Sequence, residues 1–198
     1  QLQGKPTAPL SCRILFIGGC KKAWMWVNAD TTMQKALHQV TRYSLQPWRE
    51  AAVRCWINEA GFRSEVPNQQ RKKFGRITGN WSHLLHEMGL KIQHAPTQWE
   101  KHLEDLKEEL NHSPAKWLPQ LDLVTEAAEV FPVMSSYNYG ATNREYEPIS
   151  IEELSHLSEK PYELVEKVIL WADLLSFVKP DTNDRWLLDL IVSRLIKA

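Results

Sequence analysis

Apolar residues recur along most of the chain at spacings of three and four, the period of an α-helix with one buried face. Between residues 99 and 110 they form a single stripe of Trp99, Leu103, Leu106 and Leu110. Comparable stripes predict helices that begin near Thr31, Pro47, Asn68, Ser113, Ser150, Pro161 and Trp186. The third of these spans about residues 68–88, and Ser150 with Glu153 predicts a capping box. The pattern predicts a mainly α-helical, bundle-like protein.

Two short β-prone runs near the N-terminus interrupt this helical pattern. Residues 13–17 are typical of a buried strand, residues 23–27 of a second strand, and the five residues between them suit a hairpin loop. A two-stranded hairpin is marginally stable alone, so we expect helices to cover it. The predicted fold class is therefore a helical bundle-like domain with one N-terminal β-hairpin.

The longest gap between predicted helices spans residues 132–148, with a proline at each end. A loop of this length usually carries function or acts as a linker. We therefore predict a basic helical domain at 1–131, a linker loop at 132–148 and an acidic C-terminal helical subdomain at 149–198. Three tyrosines in the loop are candidate partner-binding residues: Tyr137, Tyr139 and Tyr146.

Charge is distributed unevenly, although the formal net charge of the chain is zero. Residues 1–101 contain 15 Lys and Arg against 6 Asp and Glu, whereas residues 102–198 contain 9 against 18. Such asymmetry favours contact of the basic half with nucleic acid, a membrane surface or an acidic partner. The alternative is that the two halves dock on each other and neutralise their charges.

Positive charge is densest between residues 42 and 76, where eight Lys and Arg accompany three Glu. Residues 71–73 are all basic at a predicted helix start, where cations oppose the helix dipole and an anionic ligand would be favourable. Phosphate neutralisation dominates nucleic-acid affinity, and aromatic rings stack on unpaired bases. The sequence predicts a DNA- or RNA-binding surface made of Arg42, Arg49, Arg54, Arg63, Arg71, Lys72, Lys73, Arg76, Trp24, Trp26 and Trp48.

Three other features carry weaker chemical signals. Residues 18–22 combine two glycines with two lysines, but they lack the fixed spacing of a phosphate-binding loop. His83 and His86 share a helix face and could ligate a metal, and Cys55 beside Arg54 could be an activated nucleophile. An ordinary surface or core role is the more frequent explanation of each. We therefore expect no catalytic residue, no metal and no cofactor.

The sequence contains no G-x-x-x-x-G-K-[ST], G-x-G-x-x-G, H-E-x-x-H or G-x-S-x-G motif. An enzyme stays open as a less favoured alternative, since an active site assembled from distant residues leaves no such motif. We therefore expect a non-catalytic nucleic-acid-binding protein. The alternative is a protein-interaction subunit, an adaptor or scaffold, that contacts a protein partner through its acidic C-terminal half. Three cysteines without paired spacing, Cys12, Cys20 and Cys55, favour a reducing intracellular compartment, cytoplasm or nucleus. Because no apolar run reaches 18 residues, we expect no membrane association.

Overall fold

The computed structural model describes residues 20–29, 47–59, 66–67, 70–113, 116–140, 146–181 and 183–196. Within these ranges the α-helices are α1 (Cys20–Val27), α2 (Glu50–Glu59), α3 (Arg71–Thr78), α4 (Ser82–His94), α5 (Trp99–His112), α6 (Thr125–Tyr139), α7 (Ile151–Ser158), α8 (Tyr162–Leu174) and α9 (Leu190–Ile196). Two 3₁₀ turns, Pro96–Gln98 and Leu118–Leu121, precede α5 and α6. The predicted mainly α-helical architecture is confirmed.

The apolar stripes of the sequence become the buried faces of these helices. The α5 stripe predicted from the helical period is buried along its whole length, from Trp99 to Leu110. Helix α6 buries Phe131 and Met134, and α8 buries Val168 and Trp171. These side chains belong to one continuous apolar cluster, whose removal from water is the main favourable contribution to folding.

The N-terminal helix α1 packs against α8, from the other end of the chain. The rings of Trp24 and Trp171 meet edge to face with their centroids 6.2 Å apart. The indole Nε1–H of Trp171 donates to the carbonyl oxygen of Cys20 across 2.8 Å, so this buried donor is satisfied. Basic and acidic halves thus contribute to the same core, and the division into separate subdomains stays a prediction.

A small antiparallel sheet near the C-terminus pairs β1 (Val178–Pro180) with β2 (Trp186–Leu188). Asn138 at the end of α6 fixes its position: Oδ1 accepts from the Leu188 N–H at 2.9 Å, and Nδ2 donates to the Glu147 carbonyl at 2.6 Å. The predicted helix from Trp186 therefore begins four residues later, at Leu190, because residues 186–188 are used as a strand.

The predicted hairpin near the N-terminus is wrong in its second strand. Residues 23–27 lie in α1, where Ala23 is buried and Trp24 packs on the core. Short runs of aromatic and branched residues do not distinguish a strand from a helix by periodicity alone. The first predicted strand, residues 13–17, and the predicted helix start at Thr31 lie outside the described residues.

The predicted helix over residues 68–88 is two helices in the structure, α3 and α4. Gly79 and Asn80 both have positive φ, 58° and 60°, and this left-handed pair breaks the helix. Phe74 before the break and Leu84 after it are both buried in the core. The apolar spacing in the sequence therefore runs through the break without a sign of it. The predicted end near residue 88 is also too early, because α4 continues to His94 and includes Gly89, which packs closely against Trp56.

The predicted linker at 132–148 is wrong in its first half. Residues 132–139 continue α6, with Pro132 inside the helix. Proline removes the hydrogen bond to the carbonyl four residues earlier, but Pro132 and Ala128 are both exposed, so water can satisfy that carbonyl. Residues 141–145 lie outside the described part of the chain.

Candidate nucleic-acid interface

A basic groove lies between α2 and α3. Its volume is about 280 Å³, and it is lined by Glu50, Val53, Arg54, Arg71, Lys72, Gly75, Arg76 and Asn80. Four cations and one carboxylate therefore share a single concave surface. All four cations belong to the binding surface that the sequence predicts. They meet in one groove because α2 packs against α3.

Helical spacing explains why these side chains share the groove. On α2, Val53 and Arg54 lie three and four positions after Glu50, on the next turn of the helix. On α3, Lys72 and Arg76 are four apart in the same way, while Phe74 and Thr78 turn to the core. The buried side chains hold the two helices together and leave the charged ones on the groove.

Arg71 is the most buried of the four cations, with only 8% of its surface exposed. Its Nε donates to the carbonyl of Val66 at 3.4 Å, a long hydrogen bond to a neutral acceptor. Among the residues that the structure describes, it forms no ion pair with a carboxylate. A buried charge is costly unless it is paired, so an anion in the groove would relieve this cost.

The three exposed cations of the groove, Arg54, Lys72 and Arg76, likewise form no ion pair within the described ranges. Lys73 differs because it turns towards α5, where its Nζ lies 4.0 Å from Oε1 of Glu100. Arg49 is exposed ahead of α2 and does not line the groove. Among the described residues, the groove therefore carries four cations against the single carboxylate of Glu50, which leaves a net positive charge.

The start of α3 adds to the attraction for anions. Gln70 occupies the N-cap position, and no side chain caps the first N–H groups of the helix. The first turn contains no acidic residue and begins with Arg71, Lys72 and Lys73. Cations at a helix N-terminus cost some tenths of a kcal/mol, about 0.3–1 each. A bound phosphate near this helix start would offset the repulsion.

Of the three candidate tryptophans, Trp48 is connected to the groove through its backbone, although its side chain is not among those that line it. It is 37% exposed, and its backbone N–H donates to the carbonyl of Asn80, a residue of the groove, at 2.8 Å. Its ring meets that of Trp56 edge to face at 6.5 Å. Trp24 and Trp26 belong to α1, and Trp24 packs on the core. Arg42 and Arg63 lie outside the described residues.

Two groove residues were missed at the sequence level. Gly75 forms part of the groove wall without a side chain, and a Cβ there would lie 2.6 Å from Oδ1 of Asn80. That amide oxygen is buried and has no hydrogen-bond partner among the described residues. The signal that could have found them is the Gly79–Asn80 pair, which is typical of a helix end followed by a turn.

The three candidate partner-binding tyrosines lie close together, but the hydroxyl groups of two of them form hydrogen bonds within the protein. The hydroxyl of Tyr137 donates to Glu147 at 3.5 Å, and that of Tyr139 donates to the Leu188 carbonyl. Burial raises the pKa of Tyr139 well above its usual range. Tyr146 is exposed, and its ring contacts that of Tyr139 edge to face at 5.4 Å.

The other chemical candidates take ordinary places in the fold. The rings of His83 and Trp117 meet edge to face, with their centroids 6.1 Å apart. Across the described ranges, no group of three His, Cys, Asp or Glu is arranged to hold a metal. Cys20 begins α1 and donates from Sγ to the Leu121 carbonyl at 3.2 Å, and burial raises the pKa of its thiol. Cys55 is exposed on α2.

No helix within the described residues is both long and apolar enough to cross a membrane. No protein-family model matches the chain, and no curated protein or solved structure is significantly similar to it. The candidate interface therefore depends on the geometry and charge of its own residues.

Proposed function

We propose that this chain is a non-catalytic nucleic-acid-binding protein that holds a backbone phosphate in the α2–α3 groove. The observation that carries this proposal is the set of four cations in the groove, Arg54, Arg71, Lys72 and Arg76, without a carboxylate in ion-pair distance among the described residues. Phosphate contacts of this kind supply most of the sequence-independent affinity for nucleic acid.

Trp48 favours single-stranded over double-stranded nucleic acid. Its backbone is hydrogen-bonded to the groove residue Asn80 and its indole is partly exposed, and unpaired bases can stack on such a ring whatever their identity. A duplex offers phosphates to the groove but keeps its bases inside the stack. We therefore expect single strands of DNA or RNA to bind more tightly than a duplex of equal length.

Fluorescence anisotropy with labelled oligonucleotides tests the proposal. The groove variant carries Arg54→Ala, Lys72→Ala and Arg76→Ala, all exposed positions, and we expect at least about a tenfold loss of affinity near 0.1 M salt. The matched control removes three exposed lysines elsewhere, Lys21, Lys22 and Lys101, and should bind like the wild type. Equal loss in both variants, or no binding by the wild type, would reject the proposal.

A protein-interaction subunit is the second candidate, and one surface favours it. On α8, Tyr162 and Leu170 are exposed large apolar side chains, and two carboxylates, Glu163 and Glu166, lie between them in the sequence together with one cation, Lys167. A protein partner with an apolar contact and a basic rim would complement this acidic surface. Co-purification of a protein that survives nuclease treatment, and that is lost with Tyr162→Ser and Leu170→Ser, would support this alternative.

A further inference from the structure

The basic groove between α2 and α3 is small for the charge that it carries. Its volume of about 280 Å³ lies below the usual range of small-molecule sites, about 300–1,000 Å³. It therefore has room for one phosphate group rather than for a length of strand. Four cations against the single carboxylate of Glu50 give its lining a formal charge of +3 among the described residues. One occupant must match this charge.

A phosphate at the end of a strand matches the groove better than a phosphate inside the strand. An internal phosphodiester carries one negative charge, and two of its four oxygens continue the strand. A terminal phosphate is a monoester with a charge of about −1.5 to −2 near neutral pH and three free acceptor oxygens. It also needs only one way out of a concave site, whereas an internal phosphate needs two.

Arg71 is the least exposed cation of the groove and still has donors to offer. Its side chain is more than nine-tenths buried, and its one hydrogen bond among the described residues uses Nε. Its terminal nitrogens, Nη1 and Nη2, have no partner among those residues, yet neither is a fully buried atom. A ligand can therefore reach them. Guanidinium groups bind phosphate through pairs of parallel hydrogen bonds, which are among the stronger ones.

We infer that the basic groove binds the terminal phosphate of a nucleic-acid strand in preference to an internal one. The inference rests on the proposed nucleic-acid binding and names the part of the strand that the groove selects. Arg71 would hold the phosphate from the buried side of the groove. The exposed cations Arg54, Lys72 and Arg76, which line the same groove, would match the second negative charge of the monoester.

Anisotropy with three single strands of one sequence tests this preference. One strand carries a 5′-phosphate, one a 3′-phosphate and one neither, and all three carry the same internal label. We expect a phosphorylated strand to bind at least about tenfold more tightly than the unphosphorylated one. Equal affinity for all three strands would overturn the inference. The proposed function would survive that result if Arg54→Ala, Lys72→Ala, Arg76→Ala still weakened binding of every strand, whereas no binding of any strand would reject both.

Substitutions at exposed positions assign the preference to the groove. In the Arg54→Ala, Arg76→Ala variant, the ratio of the affinities for phosphorylated and unphosphorylated strands should fall towards one. The matched control, Lys22→Ala with Lys101→Ala, removes two exposed cations outside the groove and should keep the wild-type ratio. A wild-type ratio in the groove variant would overturn the groove as the site.

Glu50→Gln tests the same charge in the opposite direction. It removes the one carboxylate among the residues that line the groove, so the affinity for the phosphorylated strand should rise about threefold. Glu59→Gln is the control, because Glu59 is exposed on the same helix and does not line the groove. An equal rise in both variants would contradict a phosphate seated in the groove.

Competition with adenosine 5′-monophosphate distinguishes the end of a strand from a free nucleotide. The two share the phosphomonoester, but the mononucleotide lacks the neighbouring phosphates that add to the affinity of a strand. We expect displacement of the labelled phosphorylated strand to need at least about a tenfold higher concentration of the mononucleotide than of the unlabelled phosphorylated strand. Equal competition by the two would overturn the strand end as the ligand.

Discussion

The backbone N–H of Trp48 donates a hydrogen bond to the carbonyl oxygen of Asn80 across 2.8 Å. This bond ties the segment that leads into α2 to the turn that follows α3. Because Asn80 lines the basic groove, the bond holds the backbone of Trp48 next to a groove residue, and the Trp48 side chain is partly exposed. A nucleotide whose phosphate occupied the groove would therefore have an aromatic surface close to its base.

Replacement of Trp48 by alanine should weaken the binding of single strands and leave duplex binding nearly unchanged. Stacking on an aromatic side chain contributes about 1–3 kcal/mol per base, so we expect at least about a fivefold loss. Trp26→Ala is the control, because Trp26 is half-buried on α1, no residue of which lines the groove, and it has no bond to a groove residue among the described contacts. An equal effect of both substitutions in the anisotropy assay would argue against a stacking role for Trp48.

Gly79→Ala should destabilise the protein, because Gly79 ends α3 in the left-handed conformation. That conformation costs a residue with a Cβ about 1–2 kcal/mol, and the added Cβ would also overlap Cγ1 of Ile191. We expect a total loss of about 2 kcal/mol or more in chemical denaturation.

Glu159→Gly provides the control with the opposite sign. Glu159 follows α7 with φ at 54°, so glycine relieves strain there. The relief of about 1–2 kcal/mol is offset in part by about 0.5–1 kcal/mol of glycine entropy. Stability should therefore be unchanged or slightly higher. A stabilising Gly79→Ala would show that the break between α3 and α4 is not fixed by this residue.

Glu153 should make the stability of the protein depend on pH. The N–H of Ser150 and the guanidinium of Arg185 hydrogen-bond its carboxylate and lower its pKa. Its stabilising effect is therefore complete above the unfolded-state pKa of about 4.3 and is lost as the pH falls through the lower folded-state pKa.

Glu153→Gln removes the charge and tests this dependence. The difference in unfolding free energy between wild type and variant should be largest near neutral pH and shrink in acid, as followed by urea denaturation. Glu152→Gln changes an exposed neighbour on the same turn and should show no such trend. A difference for Glu153→Gln that did not vary with pH would contradict the assigned hydrogen bonds.

The two cysteines that the structure describes should differ in their rate of alkylation. Burial raises the pKa of the Cys20 thiol, and the nearby charge of Asp122 adds to this effect, so little thiolate is present at neutral pH. Cys55 is exposed. Iodoacetamide should label Cys55 first, and labelling of Cys20 should accelerate as the pH rises. Peptide mapping by mass spectrometry would reveal the reverse order if Cys20 were in fact accessible.

Local features of the fold could be predicted from the sequence, whereas features set by packing could not. The α5 stripe and the Ser150–Glu153 capping box are both confirmed, because each depends on spacing within one helix. The break at Gly79 was missed because the apolar period runs through it. The sequence predicts a loop from Pro132 onwards, yet α6 continues past this proline, which lies on the exposed side of the helix.

The candidate interface follows the same division. Arg54 and Arg71 were predicted from the density of positive charge, but their place in one groove follows from the packing of α2 on α3. Nothing in the sequence separates them from Lys73, which lies near Glu100. Asn80 was missed because its role depends on a contact with Trp48, more than thirty positions earlier.

The salt dependence of oligonucleotide binding tests the groove most directly. The slope of log affinity against log salt changes by about 0.9 for each phosphate contact on a duplex and about 0.7 on a single strand. The Arg54→Ala, Lys72→Ala, Arg76→Ala variant should therefore bind single strands with a slope shallower by about 2, while the Lys21, Lys22 and Lys101 control keeps the wild-type slope. One common slope for all three proteins would contradict phosphate binding in the α2–α3 groove.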